Sequence, residues 1–309
     1  MEDYPKNLLE FEARFSSEEA CRAYLAKLRW PEGFCCPSCQ GVEAWITKDW
    51  RYKCKRCHQY AYVTAGPIFH GRHKPLRLWF RAMWHITSQK YGANALGLQR
   101  ERGLGSYHTA WEWLHKLRRA LVRPGRDQLK GVVEVDETYW GGEHAGKRGR
   151  GAEGKALIII AVEDTSGKRR TGIGRIRLQR IADASAPSLN AFISSTIKAG
   201  STVRADGWSG YTQLDTQGYM HETARSSAAV GDDELALRHR VAALFKRWLL
   251  GTYQGAVRHE HLDYYLDEYA FRFNRRASHS RGKLFYRLVQ QAVQIEPTTG
   301  KRIEGGKAL

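Results

Sequence analysis

Four cysteines stand in two tight pairs, Cys36-x2-Cys39 and Cys54-x2-Cys57, with fourteen residues between them. A Cys-x2-Cys turn is a knuckle that aims both thiolates at one centre. Two knuckles close a tetrahedral four-sulfur site of the kind that holds a structural zinc ion, here one per chain. Cys35 would need a three-residue spacer, so Cys36 is the expected ligand. A redox-active dithiol needs a surrounding strand–helix–strand pattern, which this stretch lacks. The intervening "EAWITKDWRYKC" alternates as a small hairpin, and residues 31–66 read as a zinc ribbon. All six cysteines fall in the first 57 residues. That is a local metal site and not a disulfide framework, and it implies a reducing, intracellular setting.

A second set of residues that could do chemistry is acidic. Asp136 lies in "GVVEVDETYWGG" and Asp206 closes "STVRADGWSGY". Each sits near the end of a short β-branched run, and Asp206 ahead of Gly207 would also suit a turn. The elements around them give the pair its meaning. "KALIIIAVE" is a buried strand, "TGIGRIRL" alternates as another, and "SAPSLNAFISSTIKAG" starts with a Ser-Ala-Pro cap and reads as a helix. A last helix covers "DDELALRHRVAALFKRWLLGTYQG" and closes at Gly251. The order is three strands, helix, strand, helix, which predicts an α/β, RNase H-like mixed sheet whose first and fourth strands are neighbours. Carboxylates in those two strands converge there. With a third ligand from the last helix they suit two Mg2+ or Mn2+ ions roughly 3.5–4 Å apart, clamping the oxygens of an in-line phosphoryl transfer.

The chain carries 50 Lys+Arg against 32 Asp+Glu in 309 residues, a formal charge of +18, with 42% hydrophobic and 11% aromatic residues. Global disorder is excluded, and a polyanion such as double-stranded DNA is the economical partner. The longest apolar run, Ala156–Val162, falls far short of the roughly 20 residues that cross a bilayer, so a cytoplasmic protein is expected, nucleoid-associated when bound to DNA. A short capped helix over Ser16–Leu28 occupies the N-terminal segment, 1–30, with Cys21 on its core face. Residues 67–125 are helical, and "KYGANALGLQRERGLGSYHTAWEWLHKLRRAL" reads as helix, glycine turn, helix. In a helix-turn-helix the second helix would enter the major groove, and Lys116, Arg118 and Arg119 would touch phosphates. The α/β catalytic domain is expected over 130–293, followed by a frayed tail, 294–309.

Together these segments resemble bacterial insertion-sequence transposases of the ISXO-like group, which pair a transposase zinc ribbon with a DDE-superfamily catalytic domain. The motifs that carry the resemblance are "CPSC" with "CKRC", the glycine-broken helical stretch quoted above, "VEVDETYWGG", "ADGWSGY", "KRWLLGTYQGAV" and "LDEYAFRFNRR", in order from about residue 15 to 293. The resemblance implies DNA transposition: phosphodiester hydrolysis at element ends, then strand transfer of the freed 3′-hydroxyl into target DNA, by a homo-oligomer on DNA. It carries the first catalytic carboxylate onto Asp136 and the second onto Asp206. The third position is Glu in some members and Asn or His in others, and here it falls on His239.

Helix periodicity recommends the same residue. Over Asp233–Leu250 the stripe Leu237, Val241, Leu244 and Trp248 is expected to be the core, which leaves His239 and Lys246 together on another face. Lys246 and Arg247 would then meet DNA phosphate. Asp232, Asp233 and Glu234 are rivals for the metal, although their positions suit capping. A softer imidazole donor implies that Mn2+ serves at least as well as Mg2+. Tyr139 and Tyr211 lie near the acids, but aromatic residues beside strand ends more often pack than attack. The competing functions are an RNase H-like nuclease or resolvase, and a transposase-derived zinc-ribbon regulator without catalysis.

Overall fold

The computed structural model describes residues 2–123, 125–141, 155–166, 172–224 and 235–305. The described residues divide into two compact units, one of residues 2–123 with 278–305, the other within residues 125–277.

The first unit opens with helices α1 (Leu8–Arg14) and α2 (Glu18–Arg29), capped by Asn7 and Ser17, whose side chains accept from the third residue of each helix. The ribbon follows as three short antiparallel strands, β1 (Ala44–Ile46), β2 (Tyr52–Cys54) and β3 (Tyr60–Ala61). Three helices come next: α3 (Leu76–Ser88), α4 (Ala95–Arg102) and α5 (Tyr107–Arg119). Helix α4 ends on Gly103 in the left-handed region (φ 61°), and Ser106 caps α5 by accepting from Thr109 N–H, so the expected glycine-broken helix pair forms.

The second unit is a five-stranded sheet. Strands β4 (Val132–Trp140), β5 (Ala156–Asp164) and β6 (Ile173–Ile181) run antiparallel. Helix α6 (Ala186–Thr196) crosses over to β7 (Thr202–Ala205), which pairs parallel with β4, and β8 (Met220–Thr223) pairs parallel with β7. Helices α7 (Ala236–Tyr253) and α8 (Leu262–Asn274) complete the unit. The sheet order β6-β5-β4-β7-β8 is that of an RNase H-like fold, with the first and fourth strands of the unit adjacent. The fifth strand, β8, was not foreseen, because "MHET" is short and largely exposed.

Both sheet faces are covered. Val133 and Val135 join Leu189, Phe192 and Ile193 of α6 in one core, while Trp140, Ile158 and Ile160 pack with Val241, Phe245 and Leu249 of α7 in the other. This two-sided burial explains why "ALIIIAV" is apolar without alternation.

After α8 the chain returns to the first unit. Helix α9 (Arg281–Ala292) packs there, with the Phe285 ring 5.2 Å from that of Phe11 and 5.7 Å from that of Phe80. The expected catalytic boundary at 293 therefore moves to about 277, since apolar "LFYRLV" seals the N-terminal helices and not the sheet. Nor is 294–309 a frayed tail throughout: α10 (Gly300–Glu304), capped by Thr299, buries Ile303 completely. Among the described residues no helix is long and apolar enough to cross a membrane.

Candidate active site

Strand pairing brings the two aspartates together. The β4–β7 ladder pairs Val132 with Thr202, Val133 with Val203 and Glu134 with Arg204. Carried two residues further, that register sets Asp136 opposite Asp206, although 70 residues separate them in the chain. Asp136 is 7% exposed. Burial pushes its carboxyl up to about 6; Arg238 opposes the shift, while the neighbouring charges of Glu137 and Asp206 add to it. A buried carboxyl whose ionisation is disfavoured by burial and by neighbouring carboxylates marks a candidate site for a cation. Asp206 also turns the chain after β7, accepting from Trp208 N–H at 3.1 Å. The turn reading and the site reading of Asp206 are therefore compatible.

Glu134, Asp136 and Trp140 share the sheet face that α7 covers. Glu134 is 2% exposed and accepts from the backbone N–H of Arg238, the third residue of α7, at 2.9 Å. That helix has no side-chain cap of its own. Glu134 supplies one from the sheet, which pins the start of α7 two residues from Asp136. Burial raises the Glu134 carboxyl to about 7 against the opposing hydrogen bond from Arg238.

The Arg238 side chain, itself buried, ion-pairs with Asp136. A guanidinium thus neutralises the carboxylate from the helix that was expected to bring the third ligand. The buried stripe of α7 is Arg238, Val241, Ala242, Phe245 and Leu249, whereas Leu244 is exposed and Leu237 and Trp248 only partly buried. The expected core stripe is therefore rotated, because the buried ion pair, which apolar periodicity ignores, sets which side faces the sheet. His239 and Lys246 stay about 20° apart on the helix, at the border of this buried face. Among the described residues only the four ribbon cysteines form a group of three or more potential ligands whose donor atoms all lie within 4.8 Å of one another. Asp136, Asp206 and His239 are not gathered that closely. Asp232, Asp233 and Glu234 lie outside the described residues. Helix α7 also runs through Gly251 to Tyr253 and ends on Gln254 in the left-handed region (φ 51°).

On the opposite face, Tyr211 is fully buried and its hydroxyl donates to Glu137 Oε1 at 2.6 Å. Five residues after Asp206, it ties the turn beyond β7 to the residue beside Asp136, past the last rung of the ladder. A buried phenol holding a carboxylate, with its own ionisation pushed far up by burial and by Glu137, is not a nucleophile. Sequence reasoning missed Glu134, Glu137 and Arg238. The period of two in "VVEVDET" was the available signal, since it puts Glu134 on the face of Asp136.

In the ribbon, Cys36 Sγ lies 3.6 Å from Cys57 Sγ, and Cys39 Sγ lies 3.6 Å from Cys54 Sγ. Tetrahedral Zn–S bonds of about 2.3 Å require S···S separations close to this. The set fits structural zinc, and Cys36, not Cys35, is a member.

Residues 128–274 match the ISXO2-like transposase domain and residues 16–60 the transposase zinc-ribbon domain. The chain belongs to the ISXO2-like transposases. It is a DNA transposase of the DDE superfamily with a structural zinc site. A protein of the transposable element ISH50 from Halobacterium salinarum is 29% identical over 265 residues, 76% of this chain and 84% of the relative. Among solved structures, the HTLV-2 integrase catalytic core aligns at 12% identity over 51% of this chain and 97% of its own, with TM-score 0.31. A simian T-cell lymphotropic virus intasome chain aligns at 11% identity over 66% and 74%, also with TM-score 0.31.

The transposase's basic residues sort differently from expectation. Arg118 is 1% exposed and donates to Ala93 O at 3.2 Å. It shares the buried stripe of α5 with Leu114 and Leu117, so it is a core strut and is not placed to touch phosphate. Lys116 is half-buried and pairs with Glu112 at 2.5 Å, and Arg119 is half-buried. Arg247 is exposed, while Lys246 is half-buried, its ammonium held below the usual lysine range by burial and then by Lys155.

Proposed function

We propose that this transposase hydrolyses a phosphodiester at each end of its element and then joins the freed 3′-hydroxyl to target DNA, with Asp136 and Asp206 as its catalytic carboxylates. The observation that carries this reading is the β4–β7 register, which aims two acids 70 residues apart at one sheet edge. Divalent metal, Mg2+ or Mn2+, held by these residues would supply Lewis-acid activation of the attacking oxygen and charge neutralisation of the leaving one. Asp136 and Asp206 bind and orient; Glu134 fixes α7 against β4, and Tyr211 with Glu137 holds the two strand ends together. His239 on α7 is the proposed third ligand, one residue from the guanidinium that neutralises Asp136. Were Asp136 to hold the metal, the Arg238 guanidinium that now pairs with it would be free to face a phosphate. No covalent protein–DNA intermediate is needed. Lys246 and Arg247 contact DNA on this reading, and because two ends must be cut and joined, two or more copies act together on DNA.

The test is a labelled element end incubated with target DNA and Mg2+ or Mn2+. The parent protein yields both nicked and strand-transfer products, and Asp136→Asn or Asp206→Asn yields neither while still binding the end. Cutting without joining would make the protein a nuclease. Binding without any metal-dependent cutting by the parent would make it a regulator.

A further inference from the structure

The ribbon sheet has two unlike faces. Ala44, Ile46, Tyr52, Cys54 and Ala61 share one of them by register. There Tyr52 meets the Trp30 ring edge-on at 4.9 Å and stacks on Phe34 at 5.4 Å, and Cys54 joins the sulfur centre. Around Tyr52 and Cys54 that face makes the ribbon's core, while Ile46 at its edge stays exposed.

The other face is built from Trp45, Lys53 and Tyr60. The register sets Trp45 opposite Lys53 and Lys53 opposite Tyr60, giving a ring–ammonium–ring row across all three strands. Trp45 is 51% and Tyr60 45% exposed. By the period of two, Arg51 and Lys55 flank Lys53 on this face. The Arg51 guanidinium lies 4.6 Å over the Tyr60 ring, and the Lys53 and Lys55 ammonium groups stand 5.9 Å from Tyr60 and Trp45 respectively. Two carboxylates reach the patch: Asp49 pairs with Arg51, and Glu43 pairs with Lys55 at 3.3 Å. Both pairs are solvent-exposed, hence weak and exchangeable for phosphate. Among the described residues no carboxylate pairs with Lys53. A ribbon that only had to hold zinc would gain more by burying Trp45 than by leaving half of it in water.

We propose that this face binds single-stranded DNA, with bases stacked on Trp45 and Tyr60 and the backbone phosphates held by Lys53, Arg51 and Lys55. Exposed rings interleaved with cations are the chemistry of sequence-tolerant single-strand binding. Duplex DNA hides its base faces inside the stack and offers a flat sheet only phosphates, so it cannot use the rings. The inference leans on the transposase reading only for the source of the strand, the frayed or nicked end of the element. Binding itself does not depend on Asp136 or Asp206.

The experiment measures anisotropy of a labelled oligothymidylate and of a labelled blunt duplex against the full-length, zinc-loaded chain. Trp45→Ala and Tyr60→Ala should each weaken oligothymidylate binding about tenfold with duplex binding and zinc content unchanged. Trp45→Phe should keep most of the affinity. Lys53→Gln should flatten the salt dependence. Equal losses on both probes, or no loss on oligothymidylate, would overturn the proposal. If the alanine variants lose zinc, photocrosslinking of iodouracil-substituted oligonucleotide to the parent protein decides the matter: adducts at Trp45 or Tyr60 support the site, and adducts confined elsewhere overturn it. Metal-dependent cutting, measured separately, reports on the Asp136 and Asp206 reading.

Discussion

In the ribbon, all four ligands come from residues 36–57, and each knuckle brings two sulfurs to the centre before any tertiary contact is made. In the catalytic unit, Asp136 and Asp206 meet only because a crossover through α6 lays β7 parallel to β4. The ribbon has almost no core beyond Trp30, Phe34 and Tyr52, so there the metal makes the fold. The catalytic sheet has apolar cores on both faces, so there the fold places the acids without help from a metal. Its acids even carry an internal counter-ion, Arg238. A site of sulfurs without its ion has nothing comparable.

This contrast can be broken at several points. The largest effect belongs to zinc removal. Chelation, or Cys54→Ser, should unfold the ribbon, because zinc binding to such sites supplies roughly 10–16 kcal/mol of apparent free energy. Removing divalent metal from the catalytic unit should leave its melting temperature nearly unchanged. Metal analysis with calorimetry checks both, and a ribbon that melts identically without zinc would erase the distinction.

Next in size is Arg118→Ala, expected to cost about 3 kcal/mol by leaving buried groups without their partner. The salt dependence of DNA binding by the remaining folded protein should stay the same; a flattened slope would return Arg118 to the phosphate contacts.

Glu134→Ala should cost the catalytic unit about 1–2 kcal/mol through loss of the cap on α7. It should lower cutting more than Tyr211→Phe does, because the cap positions a whole helix and the phenol a single strand end. Urea melts beside end-cutting rates measure this, and the reverse ranking would make the Tyr211 contact the more important brace.

The smallest expected effect is a pH slope. Asp136 and Glu134 hold protons more tightly folded than unfolded, at about 6 and 7 against ordinary values of 3.8 and 4.5. Their cost to stability is fully present well above pH 7 and is relieved as pH falls through about 7 and 6 toward 3.8. In chelator the catalytic unit should therefore be more stable at pH 5.5 than at pH 8. Below about pH 4 the slope should reverse as Glu163, held low by Arg175, and Asp164, held low by Ser166 and then by Arg204, take up protons despite the opposing effect of their burial. Asp136→Asn should flatten this slope from about pH 6 downward and leave the part near pH 7 to Glu134; an unchanged slope would remove Asp136 from it.

Much of this molecule is legible in the chain itself. Cys-x2-Cys spacing names zinc ligands because the knuckle is a local turn, and "ALIIIAV" names a strand buried on both faces because no solvent-facing position interrupts it. Helix caps at Ser17 and Ser106 follow from side chains that can reach only their own backbone. The order of strands and helices was enough to place Asp136 beside Asp206, since few topologies suit that order.

Tertiary structure alone decided the rest. Arg118 and Arg238 read as solvated cations by type, yet both are buried, because each finds its counter-group on a different element: Ala93 O for one, Asp136 for the other. That pairing rotated α7 away from its apolar periodicity and left His239 at the border of the buried face. Phe285 took α9 from the catalytic unit to the N-terminal one for a similar reason. Local spacing determines a contact when both partners lie within one turn of chain; when they lie on separate elements, the contact depends on which surfaces bury the most apolar area and satisfy the most polar groups together, and that is a property of the packed whole.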